Sequence, residues 1–284
     1  MKIKKIEKAI NIYHNNENIL VCPICSSSLE IAAKSLICSN KHTFNFNKKG
    51  YLTLSNKVNN EIYDLTLFNA RNTIMNSGMY KALVDKINDI IIENFSCYER
   101  INILDAGCGD GYFLNEVANS LNDTNSYLGL DLSSKAIEVA TNYESDLLLM
   151  VADLARIPLK NESIDVILNI LSPANYHEFS RILNKDGLII KVVPNTDYLV
   201  QLRELIFDDK TYDNAKIIET FKQNTTFVNS YNIKYDYALD SNLFDCLIKM
   251  TPLTNNLDTA AINHIYDNKF TYITVDLCIL IGRV

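Results

Sequence analysis

Two groups of residues carry spacing that chemistry would use. Asp105-Ala106-Gly107-Cys108-Gly109-Asp110-Gly111 packs three glycines into five positions. Glycine lets a backbone turn sharply and approach a ligand with no Cβ in the way, and a helix that follows directs its free N–H groups at anionic parts of that ligand. Asp131 lies 20 residues beyond Gly111, where a carboxylate can accept from ribose hydroxyls; Asp153 stands further on, within reach of an adenine amino group. As alternatives, Asp131 could simply cap a helix and Asp153 could be a turn residue. The second group is Cys22-Pro23-Ile24-Cys25, then twelve residues, then Cys38 with His42 four positions on. Three thiolates and one imidazole complete a tetrahedron, so Cys22, Cys25, Cys38 and His42 fit a structural zinc site with no position left for substrate.

The elements needed to hold these groups are legible in the periodicity. Apolar runs at 101–105, 126–131, 147–152, 164–170 and 188–193 read as strands separated by helical spacing at 113–121, 133–143 and 177–183. Such alternation predicts an α/β domain, a mostly parallel sheet with helices on both faces, and puts the glycine loop and both acids on its carboxyl edge. Late strands at 227–239 and 272–281, around a helix at 242–250, predict an antiparallel edge and seven strands in all. Residues 1–18 look like an amphipathic helix broken at Asn15, and residues 21–54 are short, turn-rich and cysteine-bearing, so they need a metal staple to fold. The expected division is an N-terminal extension and zinc module over 1–55, a helical linker over 56–98 and a nucleotide-binding domain over 99–284.

Composition narrows the partners. With 284 residues, 48% of them hydrophobic, the chain can bury one large core plus a small appendage. No apolar stretch is long enough to span a membrane, and the lysine-rich start lacks a following apolar segment, so a cytoplasmic protein with no membrane partner is expected. Seven cysteines cannot all pair, and Cys97, Cys108, Cys246 and Cys278 lie scattered, which suits a reducing compartment. Residues 1–50 hold eight lysines and three glutamates, a balance of +5 in a chain of net charge -7, leaving -12 for the rest. A basic head on an acidic body suggests a polyanion contact at the head, with lysines 34, 41, 48 and 49 toward phosphates and Phe44, Phe46 or Tyr51 available for base stacking. The same aromatics could equally form the module's own core.

A dinucleotide fingerprint would read G-x-G-x-x-G, whereas G-C-G-D-G is the compact loop typical of class I methyltransferases. The chain as a whole resembles the large-subunit ribosomal RNA guanine-N1 methyltransferases of the RlmA type. The likeness runs through C-P-x-C and C-x3-H, His42-Thr43-Phe44, Lys49-Gly50-Tyr51, Ala70-Arg71 and Gly78-Met79-Tyr80, then the glycine loop, Gly129-Leu130-Asp131, the proline after the fourth strand and Met250-Thr251-Pro252. It implies a class I, Rossmann-like fold behind a zinc-ribbon-like module. It also implies S-adenosylmethionine as methyl donor, structural zinc, and methylation of a guanine N1 in an rRNA hairpin loop, with a homodimer compatible with the family. Family donor contacts carry over to Tyr80, Gly109 and Asp110, and a family histidine after the fifth strand aligns with Tyr198. The donor set expected here is therefore Tyr80, Asp105, Gly107, Cys108, Gly109, Asp110, Gly111, Tyr112, Asp131, Leu132, Asp153, Leu154 and Tyr198. The family's paired arginines are reduced to Arg71, and its G-D reads Tyr63-Asp64. Neutral guanine keeps a proton on N1, so a base is needed; Asp64, Tyr176 and His177 are candidates. A small-molecule methyltransferase and a zinc-stabilised RNA-binding protein without turnover are the competing functions.

Overall fold

The computed structural model describes residues 3–55, 65–207 and 212–284. Three short strands, β1 (Leu29–Ala32), β2 (Ser35–Cys38) and β3 (Thr43–Asn45), make an antiparallel sheet of their own. The main sheet holds β4 (Leu52–Thr53), β5 (Asn102–Ala106), β6 (Ser126–Asp131), β7 (Leu147–Val151), β8 (Ile164–Ile170), β9 (Leu183–Pro194), β10 (Thr226–Ala238) and β11 (Tyr272–Arg283). Its order is β10-β11-β9-β8-β5-β6-β7-β4, parallel from β4 to β9 and antiparallel where β11 joins β9 and β10. This is the class I arrangement, with its order reversing beside β5, where the glycine loop emerges.

Eight strands replace the seven expected. The additional one is β4, from the segment after the cysteine cluster, which runs parallel to β7 and continues the ladder with Leu54 N–H donating to the Val151 carbonyl at 2.8 Å. An uncovered parallel edge would leave backbone groups unpaired; the pairing closes that edge. The anticipated helix 133–143 ends at Ala140, because Asn142 and Tyr143 turn back to Val139 and Ala140 with tighter bonds. Ser133 caps it, accepting from Ala136 N–H at 3.2 Å.

Alternation along the central strands sorts the core into two layers. Ile103, Tyr127, Leu149 and Leu168 pack against the helices Lys81–Phe95 and Tyr112–Ser120, while Leu104, Leu128, Met150 and Ile167 face the N-terminal helix and the cysteine module. The N-terminal helix, Lys5–His14, is therefore part of the sheet's packing. Fully buried Tyr13 packs edge-on against Phe46 and donates its hydroxyl to the Leu149 carbonyl at 2.6 Å. Among the described residues no helix is long and apolar enough to cross a membrane.

Tyr13→Phe removes that hydroxyl's bond to β7, so urea denaturation should show a loss of about 0.5–1.5 kcal/mol. An unchanged midpoint would mean that this bond does not fasten the N-terminal helix to the sheet.

Candidate active site and zinc centre

The chain turns away from β5 through left-handed glycines at 107, 109 and 111, with φ of +86°, +54° and +77°. Gly107 and Cys108 donate their N–H groups to the Leu130 carbonyl at 2.9 and 3.0 Å, which ties the loop to the end of β6. A Cβ on Gly107 would lie 1.9 Å from Ser172 Oγ, and one on Gly111 would lie 2.8 Å from the Ala140 Cβ. Gly107 is therefore fixed both by its dihedral and by the loop that follows β8.

Asp131 accepts from Gly109 N–H at 3.0 Å and from Ser133 N–H at 2.8 Å. The cap belongs to Ser133, so Asp131 acts as a brace of the loop and of the turn before the helix, and its carboxylate keeps lone pairs for a ribose. Asp110 is buried and takes Arg71 Nε–H at 2.7 Å. Asp105 is 2% exposed, and its Oδ1 has no hydrogen-bond partner. Burial, then the charges of Asp131 and Asp110, push its pKa up to about 8 against the opposing pull of Arg71. A buried carboxyl oxygen left open beside a glycine cradle suits a ligand that brings its own cation, which the sulfonium and ammonium of S-adenosylmethionine do.

Tyr80, Asp105, Gly107, Cys108, Gly109 and Tyr198 lie on the wall of one cavity of about 1030 Å³. That volume lies at the upper end of the range for small-ligand pockets. Tyr80 and Tyr198 share a hydroxyl hydrogen bond of 2.7 Å, and burial raises both pKa values. Tyr198, which aligns with the family histidine, thus lies beside Tyr80 on the cavity wall. Asp110, Gly111, Tyr112, Asp131 and Leu132 surround the loop without lining the cavity, and Asp153 and Leu154 stand past the end of β7. Asp153 also accepts Ala155 N–H at 2.8 Å, the turn role named as its alternative.

The candidate bases fare less well. Tyr176 lines the cavity, but burial pushes its hydroxyl up to about 12. The His177 side chain is 90% exposed and outside it. Asp64 lies outside the described residues. Two lining or supporting side chains escaped the sequence reading. Lys191 on β9 is 5% exposed, and fully buried Asn169 on β8 donates to the Ala106 and Pro173 carbonyls, both at 2.9 Å. The available signal was polarity inside apolar runs, Lys191 within 188–193 and Asn169 within 164–170.

In the N-terminal module the ligand atoms of Cys22, Cys25, Cys38 and His42 all lie within 4.8 Å of one another. Positive φ at Ser26 and Lys41 closes the two turns that present them. Zinc–sulfur bonds of about 2.3 Å at tetrahedral angles place sulfurs about 3.8 Å apart; Cys25 and Cys38 stand at 3.7 Å. His42 Nδ1 is 3.5 Å from the Cys22 sulfur and 3.3 Å from that of Cys38, so Nδ1 is the nitrogen turned toward the thiols and would be the one to ligate a metal. The module is welded to the catalytic sheet. Val21 N–H donates to the Pro158 carbonyl at 3.0 Å, Lys160 N–H to that of Ile19 at 2.8 Å, and Arg156 Nη2 to that of Ile24 at 3.0 Å.

A family profile described as "Methyltransferase domain" matches residues 99–269, and one described as "RlmA, N-terminal", a zinc ribbon, matches residues 20–55. The Bacillus subtilis protein YxjB, which carries a provisional name as a 23S rRNA (guanine-N1)-methyltransferase, is 38% identical over 92% of this chain and 95% of its own. The chain belongs to the methyltransferases with an RlmA-type zinc ribbon. This methyltransferase is also similar to the 23S rRNA (guanine(748)-N(1))-methyltransferase of Streptomyces fradiae, at 25% identity over 82% of this chain and 84% of that one. Among solved structures, the plantazolicin methyltransferase BpumL in complex with SAH is 15% identical and has a TM-score of 0.45 over 78% of this chain and 92% of that one. The enzyme depends on S-adenosylmethionine and contains structural zinc.

Strands of three or four residues bury too little to stand alone, so the metal carries the ribbon's folding. A strong chelator should open residues 20–55 to limited proteolysis while 99–284 remains resistant. Equal protection with and without chelator would show that packing alone holds the ribbon.

Proposed function

We propose that this methyltransferase modifies N1 of a guanine in a hairpin loop of large-subunit rRNA, with the ribbon gripping the RNA and the 99–284 domain carrying the chemistry. The observation that supports this most is the rigid joint between the ribbon and the segment that follows the third strand of the catalytic domain. A ribbon hydrogen-bonded at Ile19, Val21 and Ile24 to residues 156–160 holds its position relative to the carboxyl edge. The names of the two curated relatives point to the same substrate.

In this account residues 1–55 are the extension and ribbon, 56–98 the connection, and Cys22, Cys25, Cys38 and His42 hold zinc. Gly107 and Gly109 give the donor a close backbone approach, Asp131 holds its ribose, Asp153 reaches its adenine, and Asp105 answers its cationic end. Bound there, S-adenosylmethionine supplies a methyl group activated by an adjacent sulfonium. Exposed lysines 34, 41 and 48 meet phosphates, whereas Lys49 already pairs with Glu138 at 3.0 Å. The stacking role expected of Phe46 and Tyr51 is withdrawn, since both are buried in the core, and half-buried Phe44 packs against it. The absence of disulfides among the described residues suits the cytoplasm, and a homodimer is the assembly carried over from the family resemblance.

Radiolabelled donor incubated with unmodified 23S rRNA should label a guanine and stop reverse transcription there, since a methyl on N1 blocks base pairing. Binding should weaken as salt rises. Label appearing only in a small-molecule extract would overturn the assignment.

A further inference from the structure

Of the bases anticipated from the sequence, Tyr176 and His177 do not suit the N1 proton and Asp64 lies outside the described residues; the cavity contains one further group that fits. Lys191 projects from β9 and donates from Nζ to Asn169 Oδ1 at 2.6 Å and to the Ser172 carbonyl at 3.1 Å. The orientation of Asn169 follows from its network: its Nδ2 donates to two carbonyls, so Oδ1 must face the lysine. Both lysine contacts are therefore acceptors. Ser172 is also the residue against which Gly107 is fitted, so Lys191 and the glycine loop meet at one residue on the cavity wall. No carboxylate among the described residues forms an ion pair with it.

An ammonium has three N–H donors and no lone pair. A neutral amine has two donors and one lone pair, and the two acceptors here engage both donors. The fourth tetrahedral direction is then free for a ligand, and Lys191 lines the cavity.

We propose that Lys191 is the catalytic base of this enzyme, its neutral amine accepting the N1 proton of the acceptor guanine as the methyl group is transferred. The proposal rests on the guanine-N1 function argued above. The N1–H bond breaks toward Nζ, N1 bonds to the methyl carbon, and the carbon–sulfur bond breaks with its electron pair remaining on sulfur. Lys191 leaves the step as an ammonium and returns its proton to solvent. Burial pushes its pKa down to about 8, so a working fraction is neutral near physiological pH. The other titratable side chains of the cavity are Arg71, Asp105, Cys108, Arg203, Lys216 and the tyrosines at 80, 176, 198 and 212. Asp105 is itself raised to about 8, so a pH profile alone does not assign the base.

Amine rescue does. Lys191→Ala should lower single-turnover methylation of 23S rRNA on the order of 10²- to 10⁴-fold. Its affinity for S-adenosylmethionine by calorimetry should stay close to wild type. Small primary amines should restore the rate in proportion to their neutral form. Lys191→Arg keeps donors for both contacts but offers no lone pair; it should bind donor, remain inactive and resist rescue, and it serves if the alanine variant fails to fold. Undiminished activity in Lys191→Ala or Lys191→Arg, or weakened donor binding as their main defect, would overturn the role while leaving the guanine-N1 assignment intact. A wild-type enzyme that never labels guanine would overturn that assignment and this role with it.

Discussion

Everything in this molecule is arranged around the close approach of two loops at the carboxyl edge of the sheet. The turn after β5 and the turn after β8 meet so tightly that a single methyl on Gly107 would collide with Ser172. That contact explains why the site lies at the strand-order reversal: only there do two neighbouring parallel strands send their loops in opposite directions and leave a crevice between them. Asn169 fixes the separation, since one buried amide fastens the Ala106 and Pro173 carbonyls and takes Lys191 as its third partner.

The N-terminal part extends this edge. By pairing β4 with β7 and bonding the ribbon to residues 156–160, the chain braces the segment that carries Asp153 from two sides. The same ribbon presents lysines 34, 41 and 48 to solvent. Zinc therefore does more for this fold than close a small loop. It gives rigidity to a platform whose other face is the core against β6 and β7.

Much of this was legible in the sequence because local signals and global fold agree there. Glycines at left-handed positions, a serine at a helix start, cysteine pairs at metal spacing and apolar runs buried on both faces each report a constraint felt within a few residues. β4 was missed because two residues show no periodicity; only the open edge of β7 makes them a strand. Tyr51 read as available for stacking because a tyrosine in a polar module gives no sign of the large core beneath it. Asn169 and Lys191 are polar residues inside apolar strands, and their partners lie 4 to 63 residues away in sequence on neighbouring strands and loops. No spacing rule joins them. Two of the bases proposed from sequence met surroundings that sequence does not display: half-buried Tyr176 has its hydroxyl pushed up to about 12, and His177 is too exposed to reach the cavity.

The account stands on the claim that the glycine turn after β5 is shaped to hold S-adenosylmethionine. Calorimetric titration of the donor into wild type and Gly107→Ala, with unfolding followed in parallel, tests it most directly. Saturable one-site binding by the wild type, lost in a variant that still folds, is the predicted result. A folded Gly107→Ala protein that binds the donor as tightly as wild type, or a wild type that takes up none, would contradict it.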